Sequence, residues 1–298
     1  MITSFHALAV LSTGIYFSGL TYFKLAAPHM ARLHGDRPLL LTRELLRNRT
    51  WLAGACVIGV GALVQATALT GLSLHQAQPM FLAGIPILLV FAVLILRERL
   101  TPREWGCVLI LTVATCLFTD ESPVGDAAGS AIAAWPDRTL VVAIALPSLL
   151  VPCIGFLAVD LGRKGAHARP LTGVALAINA GLLTGTAELM LTGAADAGVS
   201  SHALLASPYP YVFAMAAPLA LGQLQIALQR GRLAIVGLVA TATAKTYLLT
   251  VSTILYGERW PDDDGRTVLA LALSVLAIAA VPHHERRTPR TRLQHVPR

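Results

Sequence analysis

The sequence is poor in charged residues. Asp, Glu, Lys and Arg make up 13% of the 298 residues, whereas a soluble domain carries about a quarter. Hydrophobic residues make up 55%, and the mean hydropathy is +0.66. A soluble globular domain is therefore excluded, and the composition predicts a protein embedded in the lipid bilayer.

Cysteine is also scarce, and its placement argues against disulfides and against a metal site. Cys56, Cys107, Cys116 and Cys153 all fall inside apolar runs, with no paired spacing of the kind that a metal site uses. We therefore predict four free, buried thiols and no metal site built from them.

Motifs that carry an enzymatic mechanism are missing. The sequence contains no nucleophile elbow, no HExxH, no paired aspartates on facing helices and no glycine-rich phosphate loop. We expect neither an enzyme nor a cofactor. No long GxxxG face stands out either, so the oligomeric state stays open and a homodimer is one option.

The apolar runs are long and do not alternate with polar residues, which favours membrane helices over a barrel. The start, Met1 to His6, has no Lys or Arg, so it lacks the positive region of a cleaved secretory signal and the first helix is expected to be retained. With about 20 residues needed to span a bilayer, we predict an all-α polytopic protein with nine helices at 5–27, 51–72, 80–96, 105–118, 140–159, 171–192, 209–228, 233–256 and 267–281.

The connections between these segments alternate in charge. The arginine-rich set comprises a basic segment at 28–50, expected to lie on the membrane surface, and the stretches 97–104, 160–170, 229–232 and 282–298. The arginine-poor connections lie between them. The positive-inside rule then places the first set in the cytoplasm and the N-terminus outside, in the cell membrane. The net charge of +7 is thus explained by topology rather than by nucleic acid.

A duplication organises the chain. Residues 221–260 align without a gap on 61–100, which sets Gln225 on Gln65 and Glu258-Arg259 on Glu98-Arg99. An odd number of helices separates the copies, so the repeats are predicted to be inverted in the membrane. The predicted organisation is a first repeat at 1–118, a linker with the fifth helix at 119–170, a second repeat at 171–281 and a basic cytoplasmic tail at 282–298.

Lys245 is the residue that most strongly indicates a functional site. It lies near the middle of the eighth predicted helix, about 18 Å from either end, and an unpaired lysine at that depth costs about 2.5 to 3.5 kcal/mol. Glu188 in the sixth predicted helix is the expected partner, since it is the only acidic residue well inside a predicted span. Two interpretations stay open: a structural ion pair, or a pair that faces a transported solute.

Other polar residues complete the set of candidates. Gln65, Gln225, Thr241 and Tyr247 could line a solute path, although glutamines in apolar helices also bridge helices by hydrogen bonds. Glu98, Arg99, Glu258 and Arg259 sit at the ends of spans, where water screens charge. We interpret these four as structural turns.

Several short motifs resemble a known family. They are Gln78-Pro79 leading into a helix that closes with Arg97-Glu98-Arg99-Leu100, the run WGCVL from Trp105, and the run TVSTILYGE from Thr250 followed by an acidic turn. With these motifs the chain resembles the drug/metabolite transporter (DMT) superfamily, EamA-like, and within it the nine-helix branch of NIPA-type magnesium transporters. The resemblance spans residues 51–281 and implies an inverted-repeat transporter with a central site.

The lysine decides between solute classes. Mg²⁺ requires oxygen ligands with negative charge, and Lys245 would repel it. We therefore expect a small organic or anionic solute to cross the cytoplasmic membrane by alternating access, with lipid and solute as partners and no nucleic acid. A divalent cation transporter is the alternative, and a non-transporting membrane scaffold or sensor is a further one. A closed, apolar centre would favour the scaffold, whereas a cavity that reaches Lys245 would favour transport.

The charge alternation makes a prediction about topology. Reporter tags fused to the two ends should be found on opposite sides of the membrane, because nine spans separate them and the arginine-rich connections stay in the cytoplasm. Protease protection of each tag in sealed vesicles measures this. Two tags on the same side would contradict the predicted topology.

Overall fold

The protein is described by a computed structural model over residues 4–31, 38–69, 71–72, 84–117, 138–161, 172–196, 201–256 and 264–280. Every regular element in these ranges is a helix, and none of them contains a strand. The helices are α1 (Ser4–Ala26), α2 (Pro38–Arg47), α3 (Arg49–Leu69), α4 (Ile85–Val90), α5 (Pro102–Leu117), α6 (Arg138–Leu161), α7 (Thr172–Asp196), α8 (Ser201–Ala206), α9 (Tyr209–Arg230), α10 (Leu233–Tyr256) and α11 (Asp264–Ala280).

Two irregular helical turns extend these elements. A 3₁₀ turn, Ala27–His29, follows α1, and a π-helical segment, Phe91–Ile95, continues α4. Two residues after the π segment, Arg97 has a φ of 53°, in the left-handed region. The Glu98 N–H donates to the Ala92 carbonyl across the turn that Arg97 forms. This turn reverses the chain before α5.

Five of the described helices are long and apolar enough to cross a membrane: α3, α6, α7, α9 and α10. The segments Ile85–Ile95 and Val268–Ala277 are apolar but shorter. Large apolar side chains cover the outer surface of α6, among them Leu146, Leu150 and Ile154. A surface of this kind belongs in lipid, so the fold is that of a helical membrane protein.

The α2 helix lies on the outside of this assembly. Leu45 is buried in the main core cluster and Leu41 packs against that cluster, while Arg43 and Arg47 are exposed on the other side. Because Leu41 and Leu45 are one turn apart, α2 presents a narrow apolar stripe to the core and a basic surface outward.

The two most extensive helix interfaces lie one in each half of the chain. The most extensive interface joins α1 to α3, and the next joins α7 to α9. A shift of 160 residues carries α3 onto 209–229, which is α9 to within one residue. The same shift carries α5 onto 262–277, which overlaps most of α11. The helices α5 and α11 pack on each other. Under the same shift α1 falls on 164–186, whereas α7 spans Thr172–Asp196.

Glycines in α7 allow a close approach to α10. A Cβ atom added at Gly181 would lie 2.5 Å from the Ala240 carbonyl oxygen, and one at Gly185 would lie 2.8 Å from the Ala244 carbonyl oxygen. No such contact is tolerated, so the two backbones meet only because both positions are glycine. Small residues at intervals of four are a common way for membrane helices to approach closely.

This contact predicts a large effect of one methyl group. Gly185→Ala should lower the free energy of unfolding by about 1 to 3 kcal/mol, because α7 and α10 must move apart. Gly59→Ala in α3 is the matched control, since nothing lies within 4 Å of its added Cβ. Thermal unfolding in detergent compares the two variants, and an equal melting temperature for both would contradict the close approach.

Candidate functional site

An ion pair lies between α7 and α10. The Lys245 Nζ atom donates to the Glu188 Oε2 atom at 2.5 Å, and the two side chains are 8% and 15% exposed. The contact expected from the sequence is therefore present. It offsets the cost of burying the lysine, which an apolar neighbour could not do.

The ion pair borders a cavity between the two halves of the chain. Its water-accessible volume is about 30 Å³, enough for one or two water molecules. Helices α1 and α3 supply one side, and α7 and α10 supply the other. The lining residues are Thr13, Tyr16, Phe17, Gln65, Thr184, Glu188, Ala240, Thr241, Ala244 and Lys245.

Several polar side chains line the cavity beside the apolar groups of Phe17, Ala240 and Ala244. The Tyr16 side chain interacts with Thr184 and, electrostatically, with Glu188. The Gln65 Nε2 atom is buried and has no hydrogen-bond partner among the described residues. Since an unpaired buried donor costs about 1 to 3 kcal/mol, Gln65 is suited to a water molecule or a ligand that accepts a hydrogen bond.

The structure brings Lys245, Glu188, Gln65 and Thr241 together at this cavity, but not Gln225 or Tyr247. Gln225 is fully buried elsewhere, and its Nε2 atom donates to the Phe23 carbonyl at 3.3 Å. The Tyr247 hydroxyl bonds to the Ser148 hydroxyl. Both side chains join helices: Gln225 joins α9 to α1, and Tyr247 joins α10 to α6. They are placed as bridging residues rather than as cavity residues.

The loop before α5 is tied to the start of α10. The Glu98 carboxylate accepts hydrogen bonds from the backbone N–H groups of Leu233 at 2.7 Å and Ala234 at 3.1 Å. These are orphan donors at a helix N-terminus, where a carboxylate also meets the positive end of the helix dipole. Glu98 therefore caps the N-terminus of another helix in the described structure.

Glu104 joins the same two regions. The Thr101 N–H donates to Glu104 Oε2 at 2.5 Å and the Glu104 N–H donates to Thr101 Oγ1 at 3.4 Å, a reciprocal capping box that starts α5. The Arg232 guanidinium then donates to both Glu104 carboxylate oxygens and to the Arg99 carbonyl. We refer to the contacts of Glu98, Glu104 and Arg232 as the α5–α10 clasp.

A further cation was missed by the sequence reasoning. The Lys24 ammonium at the end of α1 donates to the carbonyl oxygens of Leu228 at 2.8 Å and Gly231 at 2.5 Å. It thereby caps the C-terminus of α9, where a positive charge is favoured. The sequence feature that could have indicated this cap is a lysine in the last turn of an apolar helix.

The remaining predicted residues have mixed outcomes. Glu258 and Arg259 lie outside the described residues. Cys107 is buried and Cys153 half-buried, both as free thiols, but Cys56 is exposed, so its predicted burial is wrong. An apolar setting in the sequence does not distinguish the core from the lipid surface.

Within the described ranges, no group of three or more His, Cys, Asp or Glu side chains could hold a metal ion.

Comparisons of the chain with protein-family models, curated proteins and solved structures find no match. The resemblance to drug/metabolite transporters therefore rests on its short motifs.

The clasp makes a prediction about stability. Glu98→Ala should lower the free energy of unfolding by about 1 kcal/mol, the usual cost of losing a helix cap, because two N–H groups of α10 lose their acceptor. Arg103→Ala, an exposed position in the same segment, is the control. Thermal unfolding measures both, and a Glu98→Ala protein as stable as the control would show that the cap is dispensable.

Proposed function

We propose that the protein is a membrane transporter of the DMT type that moves a small organic or anionic solute by alternating access. The site is the cavity between the repeats, with Lys245 and Glu188 as its charged residues. The proposed setting is the cytoplasmic membrane, with nine spans, the N-terminus outside and the C-terminus in the cytoplasm.

The observation that carries this proposal is the cavity at Lys245, with polar side chains in its lining. A scaffold or sensor has no need for a lysine, a carboxylate and an unpaired amide donor around a space in the centre of a membrane protein. Ionisable residues inside membrane segments usually mark a substrate or ion path. The cavity also lies between the two halves, where repeat transporters bind their solutes.

The packing supports an inverted repeat. The shift of 160 residues carries α3 onto α9 and most of α5 onto α11. Each half of the chain contains one of the two most extensive interfaces, and the arginine-rich connections alternate along the chain. With the first repeat at 1–118 and the second at 171–281, α6 is the connecting helix that turns the second repeat over.

The size of the cavity limits what it holds in the described structure. A volume of about 30 Å³ accommodates one or two water molecules, so binding of an organic solute requires the side chains or the two halves around the cavity to move. The α5–α10 clasp and the Lys24 cap both join the two halves. We expect these contacts to change when the halves move to admit a solute.

A magnesium transporter is the weaker alternative. Glu188 is the one carboxylate that lines the described cavity, and it is bonded to Lys245. A divalent cation at this position would meet a net charge near zero from the protein, whereas Mg²⁺ sites use carboxylates.

Replacement of the lysine tests the transport proposal. Lys245→Met should keep the fold, since it removes a buried charge and retains the aliphatic stem, while solute flux falls at least tenfold. Glu188→Gln should be less stable, by about 3 kcal/mol or more, because it leaves Lys245 without its carboxylate. Flux into liposomes from a panel of organic anions, sugars, amino acids and Mg²⁺ is the measurement.

Two controls separate folding from transport. Tyr247→Phe alters a residue of the same helix outside the cavity and should transport normally. Lys245→Met/Glu188→Gln removes both charges, so it should be as stable as the native protein and inactive. A Lys245→Met protein with native flux would end the proposal that this pair lines the solute path.

A further inference from the structure

We infer that the central cavity binds a small carboxylate, which takes the place of Glu188 on Lys245, and that Glu188 takes up one proton when this happens. The inference rests on the proposed function, since it names the solute class of the same site. It adds two statements. Glu188 occupies the position on Lys245 that the ligand carboxylate takes, and ligand binding is accompanied by uptake of one proton.

The hydrogen-bonding groups favour an acceptor as ligand. The Lys245 ammonium is 8% exposed and already holds a carboxylate oxygen, so its geometry suits a carboxylate. Gln65 lines the same cavity with a buried Nε2 donor that has no partner in the described part of the chain. A carboxylate has two oxygens and can accept from both groups at once.

An amine fits this site less well. It would have to displace Lys245 from Glu188, and it would leave the Gln65 donor unpaired in a buried position, which costs free energy. It would also place two ammonium groups in one cavity of about 30 Å³. A carboxylate ligand avoids both penalties.

The proton follows from the burial of Glu188. Its side chain is 15% exposed, and a carboxylate that loses its cation in such a site is neutralised rather than kept charged. Lys245 of α10 and Tyr16 of α1 are the titratable groups that interact with Glu188, and α3 presents the uncharged Gln65. The other helices packed on α7 contribute, among their described side chains, the titratable groups Arg138, Cys153, Tyr209, Tyr211 and Arg230.

The charges balance in this exchange. Before binding, the site holds one ammonium and one carboxylate. Afterwards it holds the same ammonium, the ligand carboxylate and a protonated Glu188, so one anion and one proton have entered together and the net charge is unchanged. A carrier that works in this way moves the acid without moving charge across the membrane.

Calorimetric titration of the purified full-length protein in detergent tests the inference, with sodium acetate and sodium propionate as probes. The native protein should bind both with uptake of one proton, detected as a heat that varies with the ionisation enthalpy of the buffer. Methylammonium chloride and sodium chloride should not bind. Lys245→Met should abolish carboxylate binding, and Tyr247→Phe should leave it unchanged.

The Glu188→Gln variant gives the most specific result. It should bind acetate at least tenfold more tightly than the native protein and without proton uptake, because the internal competitor and the proton acceptor are both gone. Thermal shift provides a second measurement on the same variant, since a ligand that replaces a missing partner stabilises the folded state. Acetate should raise the melting temperature of Glu188→Gln more than that of the native protein, and should leave Lys245→Met/Glu188→Gln unchanged.

The outcomes separate this inference from the transport proposal. Solute flux in liposomes without carboxylate binding would overturn the inference and leave the transporter standing. Carboxylate binding without any flux would overturn the transport proposal and leave the inference standing. Binding of methylammonium that strengthens in Lys245→Met would overturn the inference, because Glu188 would then be the ligand-binding group.

Discussion

The ion pair between Lys245 and Glu188 constrains the whole second half of the molecule. A lysine in the middle of an apolar helix is tolerated only beside a carboxylate or water, and Glu188 of α7 supplies the carboxylate at 2.5 Å. Gly181 and Gly185 let α7 lie almost backbone to backbone with α10 beside this pair. Charge and packing therefore depend on each other: the glycines bring the two side chains together, and the ion pair offsets the cost of burying them.

The helix that carries Lys245 is also held at its N-terminus by the first half of the chain. Glu98 accepts from its first N–H groups, and Glu104 holds Arg232 just before it. The same helix is therefore held at two points, by the clasp at its N-terminus and by the ion pair at its centre.

The proposed duplication does not extend to the charges. The shift of 160 residues places Ile85 opposite Lys245 and Pro28 opposite Glu188, so only the second half of the chain supplies the ion pair. Gln65 and Gln225 do correspond, yet Gln65 lines the cavity while Gln225 bonds the Phe23 carbonyl. A site built from two similar halves can therefore be chemically one-sided, and the first half contributes mainly hydroxyl, amide and aromatic groups.

The sequence by itself determined that the protein is a helical membrane protein and indicated the charged pair. Long apolar runs leave the backbone no other regular structure in lipid, and a lone buried lysine demands its one available carboxylate. Tertiary structure alone decided that Gln225 and Tyr247 face away from the cavity, that Cys56 is exposed, that Lys24 caps α9, and that Glu98 caps α10. The physical reason is that hydropathy is the same for a side chain in the core and one facing lipid, and only helix packing determines which way each one points.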